Sequence, residues 1–340
     1  MSRLVIDLAD ARPIFALPDP VVRAIRSAVP DWDVVVIDAA TSGTGDGTHR
    51  ASAAALEAVR GGAEVYMGFG IPADLLREGT SLRWVHSGAA GVRGSLTPEM
   101  RERDVVFTNS AGIHGPPVAE TVIGYVLHFA RGLDHAVRAQ HRGRWDKRVF
   151  DAADAPVREL SASTVGVVGL GGIGREVAWR ARALGATVVG TRRRPEPVEG
   201  VELLTGEDAL NRLLATSDYV VLTVPETNET TGLVDADALD RMRDDAVLVN
   251  VSRGGLVDDE ALLAALEAGR LRGAALDAFS TEPLPEGHPL WGAPRTLITP
   301  HTSAYTHRFW EREAELLLEN LRRYRAGRPL RNVVDKAVGY

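Results

Sequence analysis

Residues 164–174 read T-V-G-V-V-G-L-G-G-I-G, and this stretch decides the fold that we expect. An apolar strand pattern runs into glycines spaced G-x-G-x-x-G, and a helical pattern follows. Strand, glycine turn and helix in this order form the dinucleotide-binding fingerprint, whereas a bare glycine pattern also occurs in loops without a ligand. The first glycine would make the turn, the second would let a pyrophosphate approach, and the third would allow close packing of the helix, whose N-terminus faces the phosphates. The loop residues expected to bind the cofactor are Gly169, Gly171, Gly172, Ile173 and Gly174.

On both sides of this loop, short apolar runs alternate with helical patterns, which predicts βαβ units and parallel sheets. Six strands are expected from the loop onward, at 164–168, 187–190, 219–224, 246–251, 273–276 and 296–299. The helices between them are expected at 175–184, 207–216, 236–243 and 259–268. Earlier in the chain we expect strands at 34–37, 63–67, 82–86 and 105–108, and a helix at 51–60. Six strands with crossover helices make a complete dinucleotide-binding sheet.

Three further segments stand apart from this alternation. Apolar residues at helical spacing predict one long helix over 117–138, either a core helix or a subunit interface. The helical pattern at 309–325 has no sheet of its own and is expected to pack on the first domain. The segment 41–48, rich in glycine, threonine and serine, predicts a flexible loop.

Composition excludes several classes of function. The length of 340 residues favours two domains at roughly 150 residues each. The net charge is −7 and no block of lysine or arginine is long enough to indicate nucleic-acid binding, so no nucleic-acid partner is expected. The chain has no cysteine, which excludes disulfides and thiolate chemistry, and the scattered histidines predict no metal site. With no apolar run of membrane length and with acidic residues in the first ten positions, we expect no membrane contact and a cytoplasmic location.

The residues after the strand at 187–190 indicate which nicotinamide cofactor fits. NAD-specific sites usually carry an acid about 20 residues beyond the glycines, where it holds the ribose 2′-hydroxyl. Here the strand is followed by Arg192, Arg193 and Arg194, with no acid. A carboxylate would repel a 2′-phosphate, whereas an arginine can bind one. We therefore expect NADP in preference to NAD, bound by Arg192 and Arg193; the alternative is that these are solvated loop arginines.

Three chemically different residues follow the ends of later strands. Arg253 comes after 246–251, Glu282 after 273–276, and His301 after 296–299. Ligands of doubly wound sheets bind at the carboxyl ends of the strands, so these side chains are expected to converge beside the nicotinamide. Reduction of a ketone needs a proton donor, which suits histidine, a fixed cation, which suits arginine, and a carboxylate to orient the histidine. Singly, each residue is better explained by a surface or structural role; their joint position favours catalysis.

Several separated motifs lie in order between Trp84 and Val334. They are Asn109-x-x-Gly112 with Val118-Ala119-Glu120, the glycine loop, Thr223-Val224-Pro225 with Thr227 and Thr230, the run 250–255 around Arg253, Leu276-Asp277-Ala278-Phe279 with Glu282-Pro283-Leu284, His288-Pro289-Leu290-Trp291, and Thr299-Pro300-His301. At this spacing they resemble the D-isomer-specific 2-hydroxyacid dehydrogenases. Three departures are Thr223, where the family more often has histidine, Arg93, where it often has an acid, and Arg192, which replaces the usual cofactor acid and resembles members that use NADP.

The resemblance implies a split architecture and an activity. A Rossmann cofactor domain, 113–301, would be inserted into a flavodoxin-like substrate domain made of 1–112 and 302–340, both α/β with doubly wound parallel sheets. The activity would be hydride transfer between NADP or NAD and a small 2-keto or D-2-hydroxy acid, in a homodimer. Within the family, these features favour the glyoxylate/hydroxypyruvate reductase branch. Further cofactor contacts are implied for Thr223, Val224, Pro225, Val251, Ser252, Arg253, Asp277 and His301. The substrate would contact Ala90, Gly91 and Val92 through their amides, together with Arg253 and His301.

Two alternatives remain at this stage. A non-catalytic dinucleotide sensor of the corepressor type would keep the same three residues, but it should also expose a peptide-binding groove or interaction tails. A formate or phosphite dehydrogenase of the same superfamily would keep the arginine and histidine with a different substrate loop. The most informative experiment at this point is a spectrophotometric screen of NADPH and NADH oxidation against a panel of 2-keto acids.

Overall fold

The structure is a computed structural model that describes residues 1–38 and 50–339, so the loop expected at 41–48 lies outside the described residues. The chain divides into two compact units, Met1–His114 with Tyr305–Tyr340, and Gly115–Ala304. The sequence placed these divisions after 112 and after 301. In the described residues, no helix combines the length and the apolar character needed to cross a bilayer.

The first unit is built on one parallel sheet. Its strands are β1 (Arg3–Asp7), β2 (Asp33–Val36), β3 (Val65–Gly68), β4 (Trp84–Ser87) and β5 (Val106–Asn109), in the order β2-β1-β3-β4-β5. Its first four helices are α1 (Asp19–Ala28), α2 (Ala53–Arg60), α3 (Ala73–Glu78) and α4 (Pro98–Glu102). The sequence analysis missed β1. This strand is buried over four of its five residues, so it lacks the alternation of apolar and polar residues that marks a half-exposed strand.

The second unit contains a larger parallel sheet. Its strands are β6 (Thr164–Val168), β7 (Thr187–Thr191), β8 (Glu202–Leu204), β9 (Tyr219–Leu222), β10 (Val247–Asn250), β11 (Gly273–Leu276) and β12 (Thr296–Ile298). The helices are α5 (Gly115–Ala130), α6 (Leu133–His141), α7 (Arg148–Asp151), α8 (Gly172–Ala183), α9 (Ala209–Thr216), α10 (Ala236–Arg241) and α11 (Asp259–Glu267). The sheet has seven strands in the order β12-β11-β10-β9-β6-β7-β8, not the expected six. The additional strand, β8, is an edge strand of three residues, too short to give a periodic signal.

The prediction of one helix over 117–138 was also wrong, because this segment belongs to two helices. Helix α5 ends at Ala130, and α6 begins at Leu133 after Gly132, whose φ is 64°. A glycine in this left-handed conformation ends a helix without strain. The apolar pattern continued through the break because both helices have apolar residues at helical spacing. His128 and His135, which one continuous helix would have carried, therefore lie on different helices.

Apolar side chains cover both faces of the second sheet. Val220, Leu222 and Leu248 belong to one buried cluster, while Val221 and Val249, which alternate with them, belong to another. A sheet covered on both faces has strands that are apolar almost throughout, as β9 and β10 are. The loops at the strand ends are therefore the places where polar side chains can reach solvent and a ligand.

The last helix, α12 (Phe309–Arg325), belongs to the first unit, as expected. Its residues Phe309, Leu317 and Leu321 join the buried cluster that contains Leu4 and Ile6 of β1. Burial of these side chains against the sheet stabilises the helix far more than its intrinsic propensity does.

A polar pair is buried between α12 and β4 in this unit. His86 and Glu313 are both fully buried, and His86 Nε2 lies 3.0 Å from Glu313 Oε1. The other ring nitrogen of His86, Nδ1, lies 2.8 Å from Thr108 Oγ1, and Ser110 donates to Glu313 Oε2 at 2.7 Å. Each polar group of the pair thus has a partner, which is what burial of such groups requires.

Candidate functional site

The glycine loop follows β6 and forms the turn that the sequence predicted. Gly169 has a φ of 100°, a conformation that L side chains rarely adopt, and a Cβ there would lie 2.6 Å from Val224 Cγ1. Its N–H and that of Leu170 each donate to the carbonyl of Thr191, at 3.0 Å. Glycine is therefore required at 169 both for the backbone angle and for the close approach of Val224.

The start of α8 is shaped to leave room for an anion. A Cβ on Gly174 would overlap the carbonyl of Gly169, so the helix packs directly on the turn. By contrast, nothing lies within 4 Å of a Cβ at Gly171, and that residue caps the helix without a side-chain hydrogen bond. The first N–H groups of a helix have no partner within it. Open space beside these donors fits a pyrophosphate.

Thr223 hydrogen-bonds to the backbone of the glycine loop. Its hydroxyl lies 2.6 Å from the carbonyl oxygen of Gly169 and 3.1 Å from that of Val168. The sequence placed Thr223 among the cofactor contacts. In the structure its side chain fixes the glycine turn, while Val224 packs against it and Pro225 is exposed.

At the end of β7, the expected arginines differ in their surroundings. The Arg192 side chain is 15% exposed and donates from Nη2 to Glu196 Oε2 at 2.9 Å. Arg193 and Arg194 are exposed. The guanidinium of Arg192 is therefore already bound to an anion, the carboxylate of Glu196.

The loop after β10 fixes the backbone of Arg253. The side-chain amide of the buried Asn250 donates to the carbonyl of Arg253 at 2.9 Å, and its oxygen accepts from the N–H of Ser252 at 3.1 Å. Val251 and Ser252 are buried, and the Ser252 hydroxyl donates to the carbonyl of Leu222 at 3.0 Å. The base of the Arg253 side chain is thus rigidly placed, although its cofactor or substrate contact remains a prediction.

Gly254 brings this loop against the loop after β11. A Cβ at 254 would overlap the backbone of Phe279 and Ser280, so only glycine allows this approach. The N–H of Phe279 in turn donates to Glu282 Oε1 at 2.9 Å. Strands β10 and β11 are neighbours in the sheet, and their loops are packed backbone to backbone. The loops that carry Arg253 and Glu282 therefore hold each other in place.

Glu282 and His301 are in direct contact. Glu282 Oε2 lies 2.7 Å from His301 Nδ1, and the two side chains are 37% and 39% exposed. Since an ionised carboxylate only accepts hydrogen bonds, Nδ1 carries the hydrogen. Within residues 1–38 and 50–339, no group hydrogen-bonds to the other nitrogen, Nε2. The pair thus orients an imidazole whose second nitrogen is available to a ligand.

The turn that carries His301 is held by a group of residues that sequence analysis did not connect. His301 has a φ of 52°, unusual for a residue other than glycine, and such strain persists only where neighbours enforce it. The fully buried Asp277 accepts from the N–H of Thr302 at 2.9 Å and of Ser303 at 3.0 Å. The Thr299 hydroxyl also donates to Asp277. The expected place of Asp277 was beside the nicotinamide; its carboxylate is engaged by the turn itself.

Tyr125 extends this group from α5. Its hydroxyl donates to Thr299, which donates onward to Asp277. Burial raises the pKa of Tyr125 to about 12, with the charge of Asp277 acting in the same direction and the bond to Thr299 opposing it. The phenol is therefore neutral at physiological pH and can donate. No motif predicted this residue, because it lies 174 positions from Thr299 in sequence.

The predicted substrate loop lies in the first unit, after β4. Ala90 and Gly91 are partly exposed and Val92 is buried. The side chain of Asn109 donates to the carbonyl of Ala90 at 2.7 Å, and the N–H of Ser110 donates to that of Ala89 at 3.3 Å. The end of β5 thus fixes the shape of this loop.

Among the described residues, no group of three or more histidine, aspartate or glutamate side chains is placed to hold a metal ion.

Comparison with known proteins places the chain in a family. Residues 123–303 match the family described as D-isomer specific 2-hydroxyacid dehydrogenase, NAD binding domain. The chain is 33% identical to a glyoxylate reductase of Korarchaeum cryptofilum, over 79% of this chain and 80% of that one. A D-isomer specific 2-hydroxyacid dehydrogenase from Xanthobacter autotrophicus Py2, solved with NADPH and MES, is 32% identical at a TM-score of 0.80, covering 100% of this chain and 99% of that one. The chain belongs to the D-isomer specific 2-hydroxyacid dehydrogenase family.

Other relatives are longer than this chain. A D-3-phosphoglycerate dehydrogenase of Methanocaldococcus jannaschii is 32% identical over 80% of this chain but only 51% of its own length. The chain thus spans about half the length of the first curated relatives that it matches.

Proposed function

We propose that this protein reduces a small 2-keto acid to the D-2-hydroxy acid with NADPH or NADH, and catalyses the reverse oxidation. The observation that carries the proposal is the His301–Glu282 pair. It lies at the carboxyl-end loops of a parallel sheet whose β6 end carries the glycine turn, and its Nε2 has no partner among the described residues. Ligands of such sheets bind at this edge.

The residues of the second unit fit a nicotinamide dinucleotide. The N–H groups at the start of α8, beside the open space at Gly171, would hold the pyrophosphate. The loops with Pro225, Ser252 and Asp277 would border the nicotinamide half, as the family resemblance implies. When bound, the reduced cofactor supplies the hydride for the carbonyl carbon of the substrate.

The proton in this reaction is assigned to His301. Protonated Nε2 donates it to the carbonyl oxygen as that oxygen gains negative charge, while Nδ1–H stays bonded to Glu282. Glu282 orients the ring and stabilises the imidazolium from which the proton leaves. Arg253 is the fixed cation for the carboxylate and carbonyl of the substrate, since its planar fork matches those oxygens.

The first unit is proposed as the substrate domain. By the family resemblance, the amides of Ala90, Gly91 and Val92 hold the substrate carboxylate. The names of two relatives, a glyoxylate reductase and a hydroxypyruvate reductase, support a two- or three-carbon 2-keto acid as substrate. Segments 1–112 with 302–340 would then be the substrate domain, and 113–301 the cofactor domain.

NADP is the proposed preferred cofactor. No acid stands among the three residues directly after β7, and Arg192 stands where NAD-specific sites usually have one. A relative of 32% identity was solved with NADPH. Each charge-assisted hydrogen bond to a 2′-phosphate would contribute about 1.5–3 kcal/mol before solvent screening.

The direct test is a spectrophotometric screen of NADPH and NADH oxidation with glyoxylate, hydroxypyruvate and larger 2-keto acids. Arg253→Lys is the informative variant, because it keeps the charge and loses the planar fork, so kcat should fall and KM should rise. Arg241→Lys, on the exposed side of α10, is the matched control and should change neither. Reduction of NADP⁺ or NAD⁺ by formate or phosphite without keto-acid turnover would instead indicate the alternative dehydrogenases. Cofactor binding without any turnover would indicate a sensor.

A homodimer and a cytoplasmic location complete the proposal. The exposed apolar side chains Leu133 and Val137 on α6, together with Trp179 on α8, support a subunit interface on the second unit. Light scattering after size-exclusion chromatography tests the dimer, and fractionation of cells that express the protein tests the location. A monomer at micromolar concentration would contradict the first.

A further inference from the structure

One acidic residue, Glu196, contacts the arginine that is proposed to bind the 2′-phosphate. Arg192 bonds to Glu196 twice, from Nη2 to the carboxylate Oε2 at 2.9 Å and from Nη1 to the backbone carbonyl at 3.1 Å. The same Oε2 lies 3.9 Å from Nη2 of Arg175, in the first turn of α8. The carboxylate of Glu196 therefore lies between two guanidinium groups, at the end of β7 beside the glycine loop.

The segment around Glu196 is built to hold it there. Its neighbours are Pro195 and Pro197, which fix the backbone before and after it and favour an extended conformation at 196. Val198 packs against the buried cluster of the second unit, and the carbonyl of Glu199 accepts from Arg182 at 2.8 Å. The contact to Arg192 is thus maintained by the backbone as well as by charge.

A 2′-phosphate and this carboxylate require the same guanidinium. Both are anions that bind the planar fork of an arginine, and a phosphate carries roughly −1.5 to −2 charges, so the two repel each other at contact distance. The Glu196 side chain is 63% exposed, which lets it turn toward solvent when a phosphate takes its place. A ribose 2′-hydroxyl makes no such demand, because it is uncharged, and the oxygen of a glutamate or of a glutamine can accept its hydrogen bond.

We infer that Glu196 is a specificity-determining residue that opposes NADP binding by competing for Arg192, and so narrows the preference for NADP over NAD. This inference rests on the proposed role of Arg192 at the 2′-phosphate. Arg192 binds the 2′-phosphate, and competition from Glu196 lowers the affinity of Arg192 for it. The ratio of NADP affinity to NAD affinity would then be smaller than the arginines alone would give.

The test uses nucleotide fragments and therefore does not depend on turnover. Isothermal titration of the 340-residue chain with 2′,5′-ADP and with 5′-AMP measures the contribution of the 2′-phosphate alone. Glu196→Gln should raise the affinity for 2′,5′-ADP by roughly twofold to tenfold and leave 5′-AMP unchanged, because an exposed ion pair is weak. Glu199→Gln removes the same charge from the same segment without touching Arg192, and should change neither affinity.

Two results would overturn the inference. One is unchanged or weaker binding of 2′,5′-ADP by Glu196→Gln; the other is an equal gain in Glu199→Gln, which would indicate a general charge effect. Arg192→Gln separates this failure from failure of the proposed function. If it weakens 2′,5′-ADP binding while Glu196→Gln has no effect, Arg192 keeps its role and only Glu196 loses its own. If Arg192→Gln has no effect, both are wrong.

Discussion

His86 with Glu313 and His301 with Glu282 pair the same residue types at 3.0 Å and 2.7 Å, but in opposite surroundings. The first pair is fully buried, and both nitrogens of His86 have protein partners. The second pair is more than one-third exposed, and only one nitrogen of His301 has a partner among the described residues. A histidine whose nitrogens are both bonded is committed to structure. One that is oriented through Nδ1 and open at Nε2 can exchange a proton with a substrate.

The comparison also explains why a histidine–carboxylate contact alone does not identify an active site. Burial of polar groups is costly unless all of them are bonded, so the first pair stabilises β4 against α12 only as a complete network. The second pair is held in place by a strained turn and by Asp277. The proposed proton transfer requires that His301 Nε2 be accessible to the substrate. The following predictions separate the two roles.

The largest expected effect is on turnover. His301→Gln should lower kcat for keto-acid reduction by ~10²–10⁴, the usual worth of a positioned general acid. Stability should change by less than about 0.5 kcal/mol, since the site is partly exposed. Steady-state kinetics with NADPH, paired with urea unfolding, checks both. Turnover near that of the wild type would remove His301 from the mechanism.

The buried pair should respond in the opposite way. Glu313→Leu removes the carboxylate shared by His86 Nε2 and the Ser110 hydroxyl, which keep only their longer contacts, to each other at 3.2 Å and from Ser110 to the Ser87 carbonyl at 3.1 Å. Loss of this buried carboxylate partner should cost about 1–3 kcal/mol. Urea unfolding should show this loss, while turnover of the folded fraction falls far less than in His301→Gln. Glu315→Leu, on the exposed side of the same helix, is the control and should be nearly neutral. Equal stability of the two variants would contradict the buried network.

Glu282 should matter only through His301. Glu282→Gln removes the charge behind the ring and should lower kcat roughly tenfold to a hundredfold, within a coupling of about 0.5–3 kcal/mol. In a His301→Gln background the same change should have little further effect. Glu286→Gln, an exposed acid of the same loop, is the matched control. Additive losses in the double variant would show that Glu282 acts independently.

The network behind the His301 turn should have a smaller effect. Tyr125→Phe removes the hydroxyl that donates to Thr299 and keeps the ring, so kcat should fall by about twofold to tenfold while the Kd for NADPH stays constant. Tyr219→Phe alters another buried tyrosine of the same unit and should leave kcat unchanged. A loss common to both variants would indicate general destabilisation.

The smallest expected effect is on alkaline stability. Burial raises the pKa of Tyr125 from 10.0 to about 12. The neutral phenol therefore stabilises the fold fully below pH 10, and this contribution is lost as the pH rises to about 12, because the unfolded chain ionises first. The unfolding free energy should decline less steeply over this range in Tyr125→Phe than in the wild type. Parallel curves would contradict the raised pKa.

Much of the fold was accessible from the sequence because its signals are local. The strand at Thr164–Val168 and the helix at Phe309–Arg325 were predicted with the observed bounds, since apolar periodicity marks them directly. The break at Gly132 was missed although a glycine at a helix end is a known signal. Apolar periodicity on both sides outweighed it. Edge strand β8 was missed because three residues carry no period.

The candidate site was predictable in part. The position of Glu282 and His301 at neighbouring strand ends follows from topology, and the 2.7 Å contact agrees with the expected pairing. The role of Gly254 depends on the backbone of Phe279, and Tyr125 acts through Thr299. The pairing of Arg192 with Glu196 was missed even though the two are four residues apart, because an acid after the strand was sought only at the strand end.

The most direct test of the difference between the two pairs applies one substitution to both histidines. His301→Gln and His86→Gln are compared for kcat per folded molecule and for the free energy of unfolding. We expect the two variants to show opposite patterns of kcat and stability. His301→Gln should lose at least a hundredfold in kcat at nearly unchanged stability, and His86→Gln should lose at least about 1 kcal/mol of stability with kcat within tenfold of the wild type. A His301→Gln protein that turns over normally, or a His86→Gln protein that is stable but inactive, would contradict the assignment of chemistry to the exposed pair.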